Sequence, residues 1–174
     1  MENQMLDLLK ARRSVRSYAA RPVEPEKLDA VLEAGTYAPS GMNKQTATIV
    51  AVVDPAYRQA VQALNCQARG GSGDPYYGAP AILLVLGDPR NSNTWVEDGS
   101  CVLATMMQAA QALGLSSCWI HGEREMFRLP EGKALLERWG LPQELEGVGS
   151  LALGYGDGPA PAPKPRKEGY IVKA

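Results

Sequence analysis

The chain has 174 residues, which suits one domain with a substantial core and is too short to argue for two. Its 18 basic and 19 acidic side chains give a net charge of -1, which argues against nucleic acid as the main partner, because phosphate backbones are bound by a basic face. Met1–Gln4 shows no secretory signal, and the apolar run Ala81–Leu86 is far shorter than the roughly 20 residues that cross a bilayer. We therefore expect a soluble, cytoplasmic protein.

The first quarter of the chain is predicted to contain two helices. The first covers Met5–Lys10, and its inward-facing side chains are expected to be Met5, Leu6, Leu8 and Leu9. The second begins near Pro25, because proline suits the first turn of a helix, and ends near Gly35. A turn is expected at Ala38–Gly41, where proline fixes one dihedral angle and glycine permits positive ones.

Four strands and three further helices are predicted beyond residue 45. The strands are the apolar or β-branched runs 47–53, 82–86, 117–120 and 148–153. One helix follows the cap at Asp54 and is expected to bury Ala60, Val61 and Leu64. The others are Trp95–Leu113 and Lys133–Trp139. Since 95–113 has little polar face, we expect it to be central or shared with another subunit.

Gln67–Ala79 is predicted to be a long loop, with four glycines around Tyr76 and Tyr77. Loops of this length are usually functional or disordered. The tyrosines favour a lid over a substrate site, and a flexible surface loop remains the alternative.

The three cysteines, Cys66, Cys101 and Cys118, are odd in number and lack metal-binding spacing, so we expect neither a disulfide framework nor a zinc site. Cys101 and Cys118 lie in apolar sequence, where a buried, inert thiol is the expected role. A catalytic triad or a Cys-His pair would have to use His121, the single histidine, and nothing around it asks for one.

A positive segment follows the first helix, with Lys10, Arg12, Arg13 and Arg16 and no acid among them. If the segment is extended, Arg12, Ser14 and Arg16 point to one side, because side chains alternate along a strand. Two guanidinium groups and a hydroxyl suit a phosphate or another planar anion. Taken alone, the segment fits a solvated basic helix end better, since cations complement the helix dipole there.

The C-terminal tail has a composition of its own. Pro159–Pro165 contains four prolines and must be extended, and basic residues outnumber acids beyond it. Gly169–Val172 could form a short strand. A disordered tail is one interpretation, while an apolar, strand-capable ending after a proline arm indicates that the tail docks on something.

Four motifs follow one another in a specific order. They are Arg12–Tyr18, Ala38–Gln45, the long helix running into Leu113–Gly122, and Leu153–Tyr155 followed by Lys164–Arg166. In this order and spacing the chain resembles the FMN-dependent nitroreductase family. The resemblance implies an α+β fold with a central mixed β-sheet flanked by helices. It also implies an intertwined homodimer with one FMN in each of two interface clefts, residues 1–158 as the FMN-binding domain, and 159–174 as an arm of that domain that lies on the partner.

The resemblance also implies which residues bind the cofactor. Arg12 would lie at the phosphate and Arg16 nearer the pyrimidine edge, with Lys164 and Arg166 as a second phosphate pair. Four residues would approach from the other subunit: Pro39, Ser40, Gly41 and Asn43. The full set is Arg12, Arg13, Ser14, Arg16, Pro39, Ser40, Gly41, Asn43, Asn65, Ile120, His121, Gly122, Lys164 and Arg166.

The chain departs from the family pattern at two places. Thr46-Ala47 stands where the family often has Pro-Trp, so packing near the flavin ring is expected to differ. His121 stands where a glutamate is frequent, so a role that needs an acid at this position is not carried over. His121, Trp95, Tyr76 and Tyr77 are candidates for lining the pocket, and a structural role is an equal alternative for each.

The activity that the resemblance implies is hydride transfer from NAD(P)H, through flavin N5, to a nitroaromatic, quinone or similar electron-poor acceptor. Because the flavin carries the chemistry, no side chain is assigned as catalytic. A Rossmann fingerprint is absent, so the nicotinamide would be bound transiently. The alternatives are a dehydrogenase or single-metabolite enzyme of the same fold, a non-enzymatic FMN-binding protein, and a helical interaction module without cofactor.

Overall fold

The computed structural model describes residues 2–174, which contain six α-helices, four β-strands and one 3-10 turn at Gly41–Asn43. In chain order the helices are α1 Gln4–Ala11, α2 Pro25–Thr36, α3 Pro55–Arg69, α4 Trp95–Ala112, α5 Glu123–Met126 and α6 Pro130–Arg138. The strands are β1 Ala47–Val52, β2 Ala81–Gly87, β3 Ser116–Ile120 and β4 Glu146–Gly154. All four predicted strands are present. The short helix α5 was not predicted, because four residues carry no helical period.

The four strands form one antiparallel sheet in the order β1-β2-β4-β3. The α+β class is therefore confirmed, while the expected mixed pairing is wrong for these strands. β2 and β3 run in the same direction, but β4 lies between them, so they do not pair. The one parallel pairing in residues 2–174 is a single bridge between Ser14 and Ser117, beside β3.

Two hydrophobic layers cover the sheet, one on each face. Alternate residues of β2 enter opposite layers, as the period of a strand requires. Leu84 packs with the side chains of α3, α5 and α6, and Leu83 packs with those of α2 and α4. Every residue of β2 is buried, which confirms the predicted strand with both faces covered.

Helix α4 is the longest helix, and it packs across one face of the sheet and against α2. Gly35 of α2 allows the close approach, because a Cβ there would lie 2.8 Å from Cγ of Met106 and 2.9 Å from Cδ1 of Ile49. The predicted central helix is thus confirmed. Within residues 2–174, no helix, α4 included, combines the length and the apolar character needed to cross a membrane.

The expected burial of α1 is wrong. None of its side chains is buried, and Met5, Leu6 and Leu9 are 65%, 44% and 42% exposed. The apolar face is present in the sequence, but in one chain α1 lies at the margin of the fold, where α4 is its main neighbour. Helix α3 differs in a smaller way, because Ala60 is exposed and Asn65 is buried instead.

Residues 70–79 are attached to the fold through Asp74 and Tyr76. Asp74 accepts hydrogen bonds from the amides of Tyr76 and Gly78, and it forms an ion pair of 2.6 Å with Arg58 of α3. The Tyr76 side chain is fully buried in the layer beneath. Tyr76 therefore belongs to the core, and it is Tyr77 that reaches the surface.

Candidate functional site

The positive segment leaves α1 at Arg12, whose backbone is already extended with φ -55° and ψ 133°. It then runs beside β3, where Ser14 bridges to Ser117 and the amide of Val15 donates to the Ser117 carbonyl at 3.1 Å. The buried hydroxyl of Tyr18 donates to the carbonyl of Val15 at 2.9 Å. The segment is therefore extended, which is the condition under which Arg12, Ser14 and Arg16 were expected to share a side, and β3 fixes it.

The beginning of the tail is attached to the same segment. Tyr18 bridges to Gly156, and the amide of Asp157 donates to the carbonyl of Ser17 at 3.0 Å. These backbone bonds direct residues 158–166 back towards the residues that follow α1. The two ends of the chain therefore meet at one surface.

A cleft of about 310 Å³ lies where the two ends meet, and we call it the basic cleft. It is lined by Arg12, Arg13, Ser14, Arg16, Pro161, Ala162, Pro163, Lys164 and Arg166. Five of these nine side chains are cationic, and none of the lining residues that the structure describes is acidic. The sequence predicted this convergence of the two termini only through the family resemblance.

The arginines of the basic cleft differ in what they already bind. The Arg13 side chain donates to the carbonyls of Lys10 and Arg12 at 2.7 and 2.8 Å, so it caps the C-terminal end of α1. Nη1 of Arg12 is buried and has no hydrogen-bond partner among residues 2–174. Burying a cationic donor without a partner destabilises the fold, so this group of Arg12 is suited to bind an anion.

β3 connects the basic cleft to the next group of predicted residues. It is an edge strand of the sheet, and its Cys118 is close enough to Arg16 and Ser14 for both to act on the thiol. Burial nevertheless raises the pKa of Cys118, so the thiol stays protonated, as an inert cysteine should. His121 lies three residues beyond Cys118, or about 10 Å along an extended strand.

β3 ends at Ile120, which is buried, and the turn after it begins with His121, which is exposed. Gly122 has a φ of 114°, and a Cβ at this position would lie 2.9 Å from Nδ2 of Asn65. The side chain of Asn65 is fully buried and donates to the carbonyl of His121 at 3.1 Å. Asn65 therefore holds this turn from behind.

Glu123 is a buried acid that the sequence did not single out. Its Oε1 accepts hydrogen bonds from Ser150 at 2.5 Å and from Asn65 and Tyr76 at 3.3 Å each. Burial raises the pKa of Glu123 to about 7, although Ser150 and Tyr76 hydrogen bonds and the charge of Arg69 oppose the rise. An acid that directly follows a His-Gly turn was the available signal.

The third group of predicted residues, Pro39, Ser40, Gly41 and Asn43, lies elsewhere. Pro39 and Ser40 line a cleft of about 450 Å³ between α2, β1 and α4, with mostly apolar walls. Asn43 has a positive φ of 54°, which is uncommon for a residue other than glycine. One chain thus divides the predicted residues among the basic cleft, the turn at 120–122 and this loop.

Asp98 of α4 fixes the loop at 39–43. Its Oδ1 accepts from the Gly41 amide at 2.8 Å, and its Oδ2 accepts from Ser92 and Thr94. Gly41 is needed there, because a Cβ would lie 2.3 Å from Oγ1 of Thr94.

Replacing Asp98 with Ala is expected to lower the free energy of unfolding by about 1 to 3 kcal/mol, because buried donors lose their acceptor. Chemical denaturation measures this change. Asp29→Ala, which removes an exposed carboxylate from α2, is the control and should have little effect. Equal stability of the two variants would contradict the anchoring role of Asp98.

Comparison with known proteins identifies the class. The model of the Nitroreductase family matches residues 9–155. A nitroreductase with bound FMN from Bacteroides fragilis superposes with a TM-score of 0.89 and 32% identity, covering 99% of this chain and 100% of that one. A nitroreductase with bound FMN from Desulfitobacterium hafniense gives a TM-score of 0.88 over all of both chains, and at 24% identity it shows the fold alone.

A curated relative supports the same class. An Archaeoglobus fulgidus protein named "Putative NADH dehydrogenase/NAD(P)H nitroreductase" is 30% identical over 87% of this chain and 85% of its own length. The chain belongs to the nitroreductase family, as its motifs predicted.

Proposed function

We propose that this protein is an FMN-dependent oxidoreductase of the cytoplasm. It passes a hydride from NAD(P)H, by way of flavin N5, to a nitroaromatic, quinone or similar electron-poor acceptor. The basic cleft carries the proposal, because it offers a phosphate site at the place where the family resemblance puts one. The bound FMN of the B. fragilis structure and the name of the A. fulgidus relative support it.

The residues of the basic cleft fit the phosphate of FMN. Nη1 of Arg12 has no acceptor among residues 2–174, and a phosphate oxygen would supply one through a charge-assisted hydrogen bond. Lys164 and Arg166 add charge from the other end of the chain, and the Ser14 hydroxyl adds a neutral donor. A planar guanidinium pairs with two phosphate oxygens at once, which favours arginine at this position.

The remaining residues orient and tune the cofactor. FMN, when bound, supplies the hydride chemistry. Arg16 is exposed beside β3, where its charge would stabilise negative charge at the pyrimidine edge of the ring. The backbone at Ile120, His121 and Gly122 would lie against the ring, and Asn65 would hold that backbone in place. Donor and acceptor would use one pocket in turn, so we expect ping-pong kinetics.

We further propose that the active form is an intertwined homodimer. The loop at 39–43 opens into a different cleft from the basic residues, so a second chain is needed to bring the two groups to one cofactor. Residues 1–158 would form the FMN-binding domain and 159–174 its arm. Residues 161–164 and 166 of the arm line the basic cleft of their own chain, so it is 167–174 that would lie on the partner. The exposed side chains of Tyr170, Ile171 and Val172 and the open apolar face of α1 support such a contact.

Anaerobic reduction tests the proposed function. NADH or NADPH is expected to bleach the flavin absorbance of the loaded protein, and a nitroaromatic or a quinone should then restore it. A flavin that binds but is reduced by neither nicotinamide would indicate a carrier. A colourless protein that gains no thermal stability from added FMN would contradict the cofactor itself.

A further inference from the structure

The turn at His121–Gly122 is coupled to a buried carboxyl. The Asn65 amide group has two hydrogens, and it donates both to the His121 carbonyl at 3.1 Å and to Oε1 of Glu123 at 3.3 Å. Asn65 is therefore a direct link between Glu123 and the backbone that the proposed function puts against the flavin ring.

Three other parts of the fold close around the same carboxyl. Helix α3 provides Asn65 and the charge of Arg69, the segment 70–79 provides the Tyr76 hydroxyl, and β4 provides Ser150. Glu123, Asn65, Tyr76 and Ser150 are each at most 1% exposed. Their side chains are thus held by the core, and a change of charge on Glu123 cannot be absorbed by solvent.

The cluster is not fully satisfied. Oε2 of Glu123 and Oδ1 of Asn65 are buried and have no hydrogen-bond partner among residues 2–174. A glutamine at position 123 would keep an acceptor for the three donors without burying an ionisable group. A carboxyl kept at such a cost next to a cofactor turn calls for a functional explanation.

We propose that Glu123 is a positioning residue, whose charge is transmitted through Asn65 to the His121 carbonyl and so to the turn that contacts the flavin. This inference rests on the proposed function. Because burial raises the pKa of Glu123 to about 7, its charge changes near neutral pH. The ionised form places a negative charge behind the turn, so FMN, itself an anion, is expected to bind less tightly as the pH rises.

The first test measures FMN dissociation constants at about pH 6 and pH 8 by fluorescence, for the wild type, Glu123→Gln and Glu125→Gln. Gln keeps an oxygen acceptor for the three donors and cannot ionise. Titration of the FMN phosphate affects all three proteins equally. We expect the ratio of the wild-type constant to that of Glu123→Gln to rise about fivefold between the two pH values. Glu125→Gln, which removes an exposed carboxylate from the same helix, should follow the wild type.

Parallel pH profiles for the wild type and Glu123→Gln would overturn the inference. A protein that binds no FMN at either pH would overturn the proposed function, and the inference with it. Tyr76→Phe provides a second variant. Removing its hydrogen bond to the carboxylate should move the inflection of the wild-type profile to higher pH.

The second test needs no cofactor. In the apoprotein, the backbone amide of Gly122 and the side-chain amide of Asn65 are expected to titrate together near pH 7 in NMR spectra, and Glu123→Gln should abolish both titrations. Amides that do not titrate in the wild type would show that the charge does not reach the turn, and would overturn the inference.

Discussion

Replacing Arg12 and Arg16 together with Ala is expected to lower FMN affinity by about 3 to 6 kcal/mol, since each charge-assisted hydrogen bond contributes about 1.5 to 3 kcal/mol. Arg12 should account for the larger share, because its buried Nη1 has no partner among the described residues. Arg16 is exposed and would act mainly on the ring. Equilibrium titration of the apoprotein with FMN measures the loss directly.

The control variant removes two arginine charges that lie outside the basic cleft. Arg128 and Arg138 are exposed, and neither lines the basic cleft. Their double replacement with Ala should leave the FMN dissociation constant within about twofold, because exposed charges at a distance are screened by salt. Full flavin retention in the Arg12/Arg16 variant would refute the phosphate assignment.

Glu123→Gln is expected to change how stability depends on pH. The pKa of Glu123 is 4.5 unfolded and about 7 folded, so the folded protein keeps a proton that the unfolded chain releases. The protonated Glu123 side chain makes its full contribution to the free energy of unfolding below pH 4.5, and this contribution is lost as the pH rises through 7. At about 1.4 kcal/mol per pKa unit, the wild type should lose about 3 kcal/mol of unfolding free energy across this range.

In the variant this loss should disappear, so the difference between the two proteins should grow from pH 4.5 to pH 7 and stay constant above it. Urea denaturation of the apoprotein at several pH values measures the difference. Glu125→Gln should show the wild-type dependence, because its carboxylate is exposed. A constant offset between the wild type and Glu123→Gln would mean that folding does not shift the pKa of Glu123.

The sequence predicted the sheet well because its signals were local. β2 is a continuous apolar run and α4 has a helical period with Gly114 just beyond its end, and both lie where expected. The mixed pairing was wrong because strand order depends on which strand inserts between two others, and no local pattern in β4 records this.

The burial of side chains was harder to predict in two cases: where the side chain is polar, and where an apolar face has no neighbouring element to cover it. The period of α1 marks an apolar face correctly, but nothing in the period says that one chain leaves this face open. Asn65, Tyr76 and Glu123 are distant in sequence, and each alone resembles a surface residue. Their hydrogen bonds to one another offset the cost of burying these polar groups, and the bonds can be seen only in the folded chain.

The same difference between local signals and contacts of distant residues applies to the candidate site. Arg12, Ser14 and Arg16 line one cleft, as expected for an extended segment, but Arg13 lines it as well, so alternation alone does not define the set. Lys164 and Arg166 were predicted to lie at the same site only from the family resemblance, because no periodicity connects residues that far apart in the sequence. The structure explains their meeting by the backbone bonds of Tyr18 and Asp157.

A crystal structure of the FMN-loaded protein tests the central claim most directly. We predict a homodimer in which the FMN phosphate contacts Arg12 and at least one of Lys164 and Arg166, with the loop at 39–43 of the partner subunit near the ring. A flavin bound elsewhere, or these cationic side chains directed into bulk solvent, would contradict it.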